Sequence, residues 1–242
     1  MKIVDATWEE RNLGVPCREV TVETGDRFEA AVAEIAALPD GYQVVKVPVA
    51  QYDVMSALEG LGFSFIEASI RVGHDLVLND PVGLFGRMLQ ATECVVLDAE
   101  GVAAVAEEIL RGIFTTDRVY LDPHFTSECA AQRYVNWMYD EIERGASIHE
   151  FYMSGRAAGF FVFRQDAEGT GYSVLSGLYE TGRSPGLGGL LLYSVLAEGA
   201  RRRLRRLSSH ISTNNLAVVK THVEQGFSFL DVHYVYTRLT GQ

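Results

Sequence analysis

Apolar and polar residues alternate from Arg18 to Glu23, the period of a half-buried strand. The period then lengthens. From Asp26 to about Leu38, the residues Phe28, Val32, Ile35 and Ala36 fall on one helical face, with Asp26 placed to cap the start and Pro39-Asp40-Gly41 to stop the run. Residues 42–49 read as a strand, 52–60 as a helix stopped at Gly60 and Gly62, and 63–72 as another strand. The opening portion is therefore a small β-α-β-α-β unit. Asn79-Asp80-Pro81 is a turn signal, so residues 77–92 read as a linker. Beyond it the pattern predicts a strand at 93–98, a helix at 100–111, an irregular stretch at 117–125 and a helix from Ser127 to about Arg144. A hairpin of strands 149–154 and 157–164 follows, turned at Gly155-Arg156, and then a strand at 171–179. The glycine-rich segment 182–189 opens a helix to about Arg203; a strand at 205–211, a helix at 215–225 and a strand at 229–238 complete the chain. The class is α/β in two parts, residues 1–80 and 93–242.

The two parts share a helix-Gly-Phe-strand passage, LEGLGFSFIEASI at 58–70 and VEQGFSFLDVHYV at 223–235. Two occurrences are too few for a solenoid. Either a repeated unit or a helix-stopping glycine in each place accounts for them.

Composition narrows the field. With 48% hydrophobic and 22% charged residues over 242 positions, the chain is of ordinary globular type, large enough for one or two domains. No apolar run approaches the length of a membrane span, and Met1–Asp5 has no apolar signal region, so a cytoplasmic protein is expected. The net charge of −11 argues against nucleic acid or an anionic membrane as partner. It is uneven: residues 1–80 carry 6 Lys/Arg against 14 Asp/Glu, net −8, and residues 81–242 carry 15 against 18, net −3. An anionic ligand is better tolerated in the second part. Cys17, Cys94 and Cys129 form no CxxC pair and the six histidines no HExxH pair, so neither a disulfide framework nor a metal site is expected.

The most specific segment is Leu178-Tyr179-Glu180-Thr181-Gly182-Arg183-Ser184-Pro185-Gly186-Leu187-Gly188-Gly189, between a strand and an amphipathic helix. Free N–H groups at a helix start carry the positive end of the dipole, and glycines let a phosphate approach the backbone. The spacing Arg183-x-x-Gly186-x-Gly188 lacks the GK[ST] of a P-loop and the acidic partner of a dinucleotide fold. A glycine-rich turn that only starts a core helix is the alternative.

Strand, R-x-x-G-x-G, helix resembles the acyl-CoA pyrophosphate site of the GCN5-related N-acetyltransferases (GNAT). Asn215-Leu216-Ala217-Val218-Val219-Lys220-Thr221-His222-Val223-Glu224-Gln225-Gly226-Phe227 resembles that superfamily's N-x-x-A-x-x-x-Y-x-x-x-G-F, in the right order and distance. The likeness covers about 93–238. Tyr120-Leu121-Asp122-Pro123-His124-Phe125, the helix with Trp137 and the leading part are similar, more loosely, to the bacterial TDP-fucosamine and related amino-sugar N-acetyltransferases. The resemblance implies a mixed, mainly antiparallel central sheet flanked by helices, preceded by a smaller, partly GNAT-like α/β part. It implies acetyl-CoA (or another acyl-CoA) as co-substrate and no metal. By it, the N–H groups of Leu187, Gly188 and Gly189 bind the pyrophosphate, with Arg183, Ser184 and Gly186 in the same motif. Leu178 and Tyr179 pair with the pantetheine arm and hold the thioester oxygen, and Asn215 bonds the pantetheine. The proton-donating tyrosine is replaced by His222, with Thr221 one position out; His222 is then an acid, a base or a space-filler.

Glu180, just past the strand, is a candidate general base or an exposed loop carboxylate. Tyr120, Asp122 and His124 are acceptor-pocket candidates or an ordinary loop. Arg201–Arg203, Arg205 and Arg206 suit a helix C-terminus better than a CoA phosphate. The expected activity is transfer of an acetyl group to a primary amine, a nucleotide-linked amino sugar or another small amine. A protein amine acetyltransferase and a non-catalytic CoA- or peptide-binding module remain as alternatives. The small-molecule amine is the expected partner, and a homodimer is left open.

Overall fold

The computed structural model describes residues 1–78, 82–180 and 184–241. The strands are β1 (Lys2–Asp5), β2 (Cys17–Thr21), β3 (Gly41–Pro48), β4 (Ser64–His74), β5 (Thr92–Val96), β6 (Ser147–Met153), β7 (Arg156–Gln165), β8 (Thr170–Leu178), β9 (Arg206–Ser212) and β10 (Ser228–Thr240). The helices are α1 (Thr7–Leu13), α2 (Phe28–Ala36), α3 (Tyr52–Gly60), α4 (Gly83–Leu89), α5 (Ala99–Leu110), α6 (Arg118–Leu121), α7 (Ser127–Glu143), α8 (Leu187–Arg201) and α9 (Leu216–Glu224). Among the described residues no helix is long and apolar enough to cross a membrane.

The ten strands of the described residues join one sheet in the order β1-β2-β3-β10-β4-β9-β8-β7-β6-β5, mixed and mainly antiparallel, with helices on both faces. Among the described residues only β2/β3 and β8/β9 pair in parallel. The sheet crosses the boundary between the two parts: β10 lies between β3 and β4, and β4 lies between β10 and β9. Each part thus receives a strand from the other. The shared passage falls on this exchange. Gly62 and Gly226 leave α3 and α9 at φ +83° and +84°, a left-handed turn that glycine adopts without strain, and both feed the neighbouring antiparallel strands β4 and β10. The units β2-α2-β3-α3-β4 and β8-α8-β9-α9-β10 have the same connectivity, and their parallel pairs stand one on each side of the exchanged strands.

Strand alternation sorts the helices. On β10, Val232 packs with α8 and α9 while Tyr234 and Tyr236 pack with α2 and α3, so these helices share the front face. Val235 points the other way, toward α1. The back face carries α1, α6 and α7, with α5 and α7 burying Phe160, Val162, Leu175 and Tyr179.

Four elements escape the sequence pattern. β1 and α1 precede the first alternation; α1 is only seven residues long, and its buried position is the charged Glu9. α4 lies inside the expected linker and packs Phe85 on Gly189 and Tyr193. α6 is a single turn in the stretch read as irregular, capped by Asp117. Two caps also differ: Asp26 bonds the Met1 ammonium and the Glu23 N–H instead of capping α2, and Thr126, not Ser127, caps α7.

Candidate active site

The parallel pairing of β8 and β9 lasts only from Thr170/Arg206 to Tyr172/Ser208; beyond it the strands part. Ser209 Oγ donates to Ser173 O at 2.9 Å where the gap opens. β8 stays paired with β7, and Tyr179 N–H donates to Ala158 O at 2.9 Å. Antiparallel ladders alternate, so this bond turns the N–H groups of Tyr179 and Gly177 toward β7 and those of Leu178 and Ser176 toward the gap. Leu178 therefore offers the free strand-end donor expected of it. Tyr179 does not: its N–H is spent on β7, and its ring is buried on the back face with the phenol donating to Glu150 Oε1 at 3.0 Å.

The start of α8 stands at the mouth of this gap. Gly186, at φ +88°, turns the chain into the helix. The N–H groups there are not equivalent. That of Leu187 reaches back to Ser184 O at 3.2 Å and that of Gly189 to Gly186 O at 3.1 Å. The Gly188 N–H has no partner among the described residues. A Cβ at Gly188 would meet nothing closer than Thr221 Oγ1 at 4.0 Å, so the space before this donor is open. The three-donor cradle expected from the motif is thus centred on Gly188. Leu187 is a core side chain, 6% exposed.

A cavity of about 790 Å³ joins these groups. Leu178, Ser184, Pro185, Gly186, Gly188 and Gly189 line it on one side, and Ala217, Thr221, Glu224 and Gln225 from α9 on another; Phe85 and His74 close it. Its size suits a cofactor-sized ligand. Arg183 lies outside the described residues.

The remaining candidates stand elsewhere. His222 does not line the cavity. It is 7% exposed, its Nδ1–H donates to Val218 O at 2.8 Å, and its ring packs edge-on against Phe227. Burial holds its pKa below the ordinary 6.5, and neither Glu224 nor Asp231 bonds it. A neutral, buried imidazole is a poor proton donor at pH 7. Thr221, its neighbour, presents the cavity-facing side of α9. The Asn215 side chain caps α9, accepting from Val218 N at 3.1 Å, and it does not line the cavity. Glu180 is exposed and outside the lining. Asp122 is buried and accepts from Tyr42 Oη at 3.0 Å, Thr237 Oγ1 at 3.2 Å and the His124 backbone, tying α6 to β3 and β10. Arg201 and Arg202 bind Glu198 at the far end of α8.

Among solved structures the chain is similar to a GCN5-related N-acetyltransferase from Sphaerobacter thermophilus, with a TM-score of 0.65 at 12% identity, over 98% of this chain and 75% of that one. The fold is that of the GCN5-related N-acetyltransferases. A tandem GNAT protein from the clavulanic acid biosynthesis pathway superposes on 95% of this chain and 77% of its own, with a TM-score of 0.59 at 16% identity. A GCN5-related N-acetyltransferase from Kribbella flavida covers 93% and 82%, with a TM-score of 0.52 at 11% identity. No protein-family model and no curated protein matches the chain. In the GNAT fold described here the parted strands and the open helix start share one cavity.

One charged group of this region carries no distinguishing signal in the sequence. Glu67, on β4, is 9% exposed and has neither a hydrogen bond nor an ion pair among the described residues. In the sequence it is one polar position in an alternating strand. A bulge in the β4/β10 ladder at Ile66 places it directly opposite Val235, on the back face.

Proposed function

We propose that the protein transfers an acetyl group from acetyl-CoA to a primary amine. The observation that carries this reading is the meeting of two free backbone donors, Leu178 N–H and Gly188 N–H, at one cavity. The open helix start suits a pyrophosphate, with Gly188 as its central donor and Arg183, Ser184 and Gly186 around it. Leu178 suits a thioester oxygen, where a fixed donor stabilises the charge that develops as an amine attacks. Holding the two reactants in line at the gap supplies much of the remaining acceleration. Thr221 takes the cavity-facing place that His222 leaves, and the departing thiolate is protonated by the attacking nitrogen's own proton or by water. The amino-sugar acceptor rested on Tyr120–Phe125, the helix with Trp137 and the leading part; Asp122 of the first segment ties elements together.

Residues 1–80 fit a partial copy of the same unit. The repeated connectivity supports this, and the acidic Asp26 beside the start of α2 leaves that helix no welcome for an anion. The donors of the acetyl-CoA site belong to the second part, and His74, Val77 and Leu78 of the first complete its wall.

Release of free thiol from acetyl-CoA is expected in the presence of a panel of primary amines. Stabilisation by CoA with no thiol release for any amine would instead favour a binding module without catalysis.

A further inference from the structure

The back face holds a buried charge cluster that does not balance. Glu9 of α1 is 1% exposed and is gripped by Arg133, from Nε at 2.7 and 2.9 Å and from Nη2 at 2.6 Å, and by Arg118 Nη2 at 2.6 Å. Glu19 of β2 takes Arg118 Nη2 at 2.8 Å and Lys46 Nζ at 2.9 Å. Asp117 keeps one oxygen on the start of α6, and its other oxygen is buried without a partner. Glu67 senses the same Arg118 charge and lies close enough to Tyr134 of α7 to raise its phenol, yet nothing among the described residues bonds it. Four carboxylates thus face three cations. Arg118 and Lys46 are committed to Glu9 and Glu19, and Arg133, bonded to Glu9, also stands 4.0 Å from Asp117 Oδ1. The cluster is one positive charge short, and the carboxylate left over is Glu67.

A carboxyl group largely removed from water without a partner is destabilising. Glu67 is reachable. The oxygen of Asp117 and the Nε of Arg118 are sealed, whereas Glu67 is not among the sealed unpartnered groups. Its place in the sheet also matters. The β4/β9 ladder ends at Ser69/Ser212, and Thr213 holds Ala68 through both its N–H and its Oγ1. Glu67 is the next residue, at the end of the sheet where β8 and β9 part, on the face opposite the α8 cavity.

Resting on the acetyltransferase reading, we propose that Glu67 is the acceptor site: its carboxylate binds the ammonium of a cationic primary amine carrying no phosphate, which supplies the missing charge. The acceptor then enters from the back face and meets the thioester, held from the front, in the gap beside Leu178. An R–NH3⁺ group bound there loses one proton to water or to the carboxylate. The free amine forms a C–N bond to the thioester carbonyl, whose oxygen takes the charge at Leu178 N–H. The C–S bond breaks as the oxyanion collapses, and the second proton of the nitrogen passes to the sulfur. The products are the amide, CoA thiol and one released proton. A nucleotide-linked amino sugar would bring two phosphates to a cluster whose cations are already paired.

The test is Glu67→Gln, which keeps the shape and removes the charge. Three readouts separate the outcomes: the melting temperature without ligands, the shift produced by CoA, and thiol release with 2-phenylethylamine, 1,4-diaminobutane and a nucleotide-linked amino sugar. The variant is expected to melt a few degrees higher without ligands, because an unpaired buried charge is gone. Its CoA shift stays that of the wild type, and KM for the best phosphate-free amine rises about 30-fold or more. A lower melting temperature, an unchanged amine KM, or preference of the wild type for the nucleotide-linked sugar overturns the assignment of Glu67. A wild type that neither responds to CoA nor releases thiol overturns the acetyltransferase reading and this one with it.

Discussion

His222 shows how much a motif position leaves undecided. The spacing from Asn215 to Gly226-Phe227 places it where the family's tyrosine stands, and its ring nitrogen invites an acid or base role. The helix turns it instead onto Val218 O and Phe227. A group whose pKa burial has lowered stays neutral throughout pH 7–9. His222→Phe is therefore expected to keep kcat within about threefold of the wild type and to leave the pH–rate profile in place. A kcat loss of about 10²-fold, with a displaced pH limb, would return the histidine to the chemistry. Glu67 teaches the converse. Nothing in F-S-F-I-E-A-S-I-R-V distinguishes a carboxylate that faces solvent from one that faces a buried cluster, because the face depends on a one-residue bulge that only pairing with β10 reveals.

At the scale of the element, the legible features were those whose signal is local. The glycines of 182–189 announce a helix start with room before it, and the period of 171–179 announces a strand. The parting of β8 from β9 is not local: β9 stays paired along its length with β4, more than 130 residues upstream, while β8 leaves it after Tyr172/Ser208. α1 escapes for a different reason, its buried residue being the charged Glu9, and the bonds of Leu187 and Gly189 N–H are settled only by the geometry of the turn itself. Gly188 provides the test. Its surroundings admit a side chain, and a carboxylate in the first turn of a helix is stabilising by about 0.3–1 kcal/mol. Gly188→Asp is expected to melt no lower than the wild type without ligand and to lose the CoA-induced rise, since like charge stands where the pyrophosphate belongs. A variant that folds and retains the full CoA shift would remove the helix start from the site.

Across the whole molecule, the charge cluster of Glu9, Glu19, Arg118 and Arg133 joins α1, β2, α6 and α7. Burial pushes the Glu19 carboxyl up, and Arg118 and Lys46 more than reverse it, to about 2. A carboxyl with a lowered folded pKa contributes stability above its ordinary value of 4.5, and that contribution is lost as pH falls toward about 2. Acid unfolding monitored by circular dichroism should therefore steepen within this window. Arg118→Met leaves two buried carboxylates short of a partner and should cost about 3–5 kcal/mol in urea unfolding. An undiminished midpoint would show that Lys46 and Arg133 suffice. The order of elements in residues 18–72 and 93–238 was legible except for the single turn α6; the exchange of β4 and β10 was not, because hydrophobic period identifies a strand and says nothing about its neighbour.

That exchange has a bearing on how the chain comes into being. A ribosome makes β3 and β4 more than 150 residues before it makes β10 (Ser228–Thr240), the strand that separates them. Until then the amino-terminal unit has a vacant slot at its centre, with the facing rims of β3 and β4 unsatisfied. Unpaired strand rims are templates for wrong partners, and pairings between distant residues form slowly. The nascent chain has to keep that slot open, or reopen it, for its closing strand. Crowded polysomes, where neighbouring chains offer identical strands, are the setting in which this protein is most exposed to joining the wrong copy.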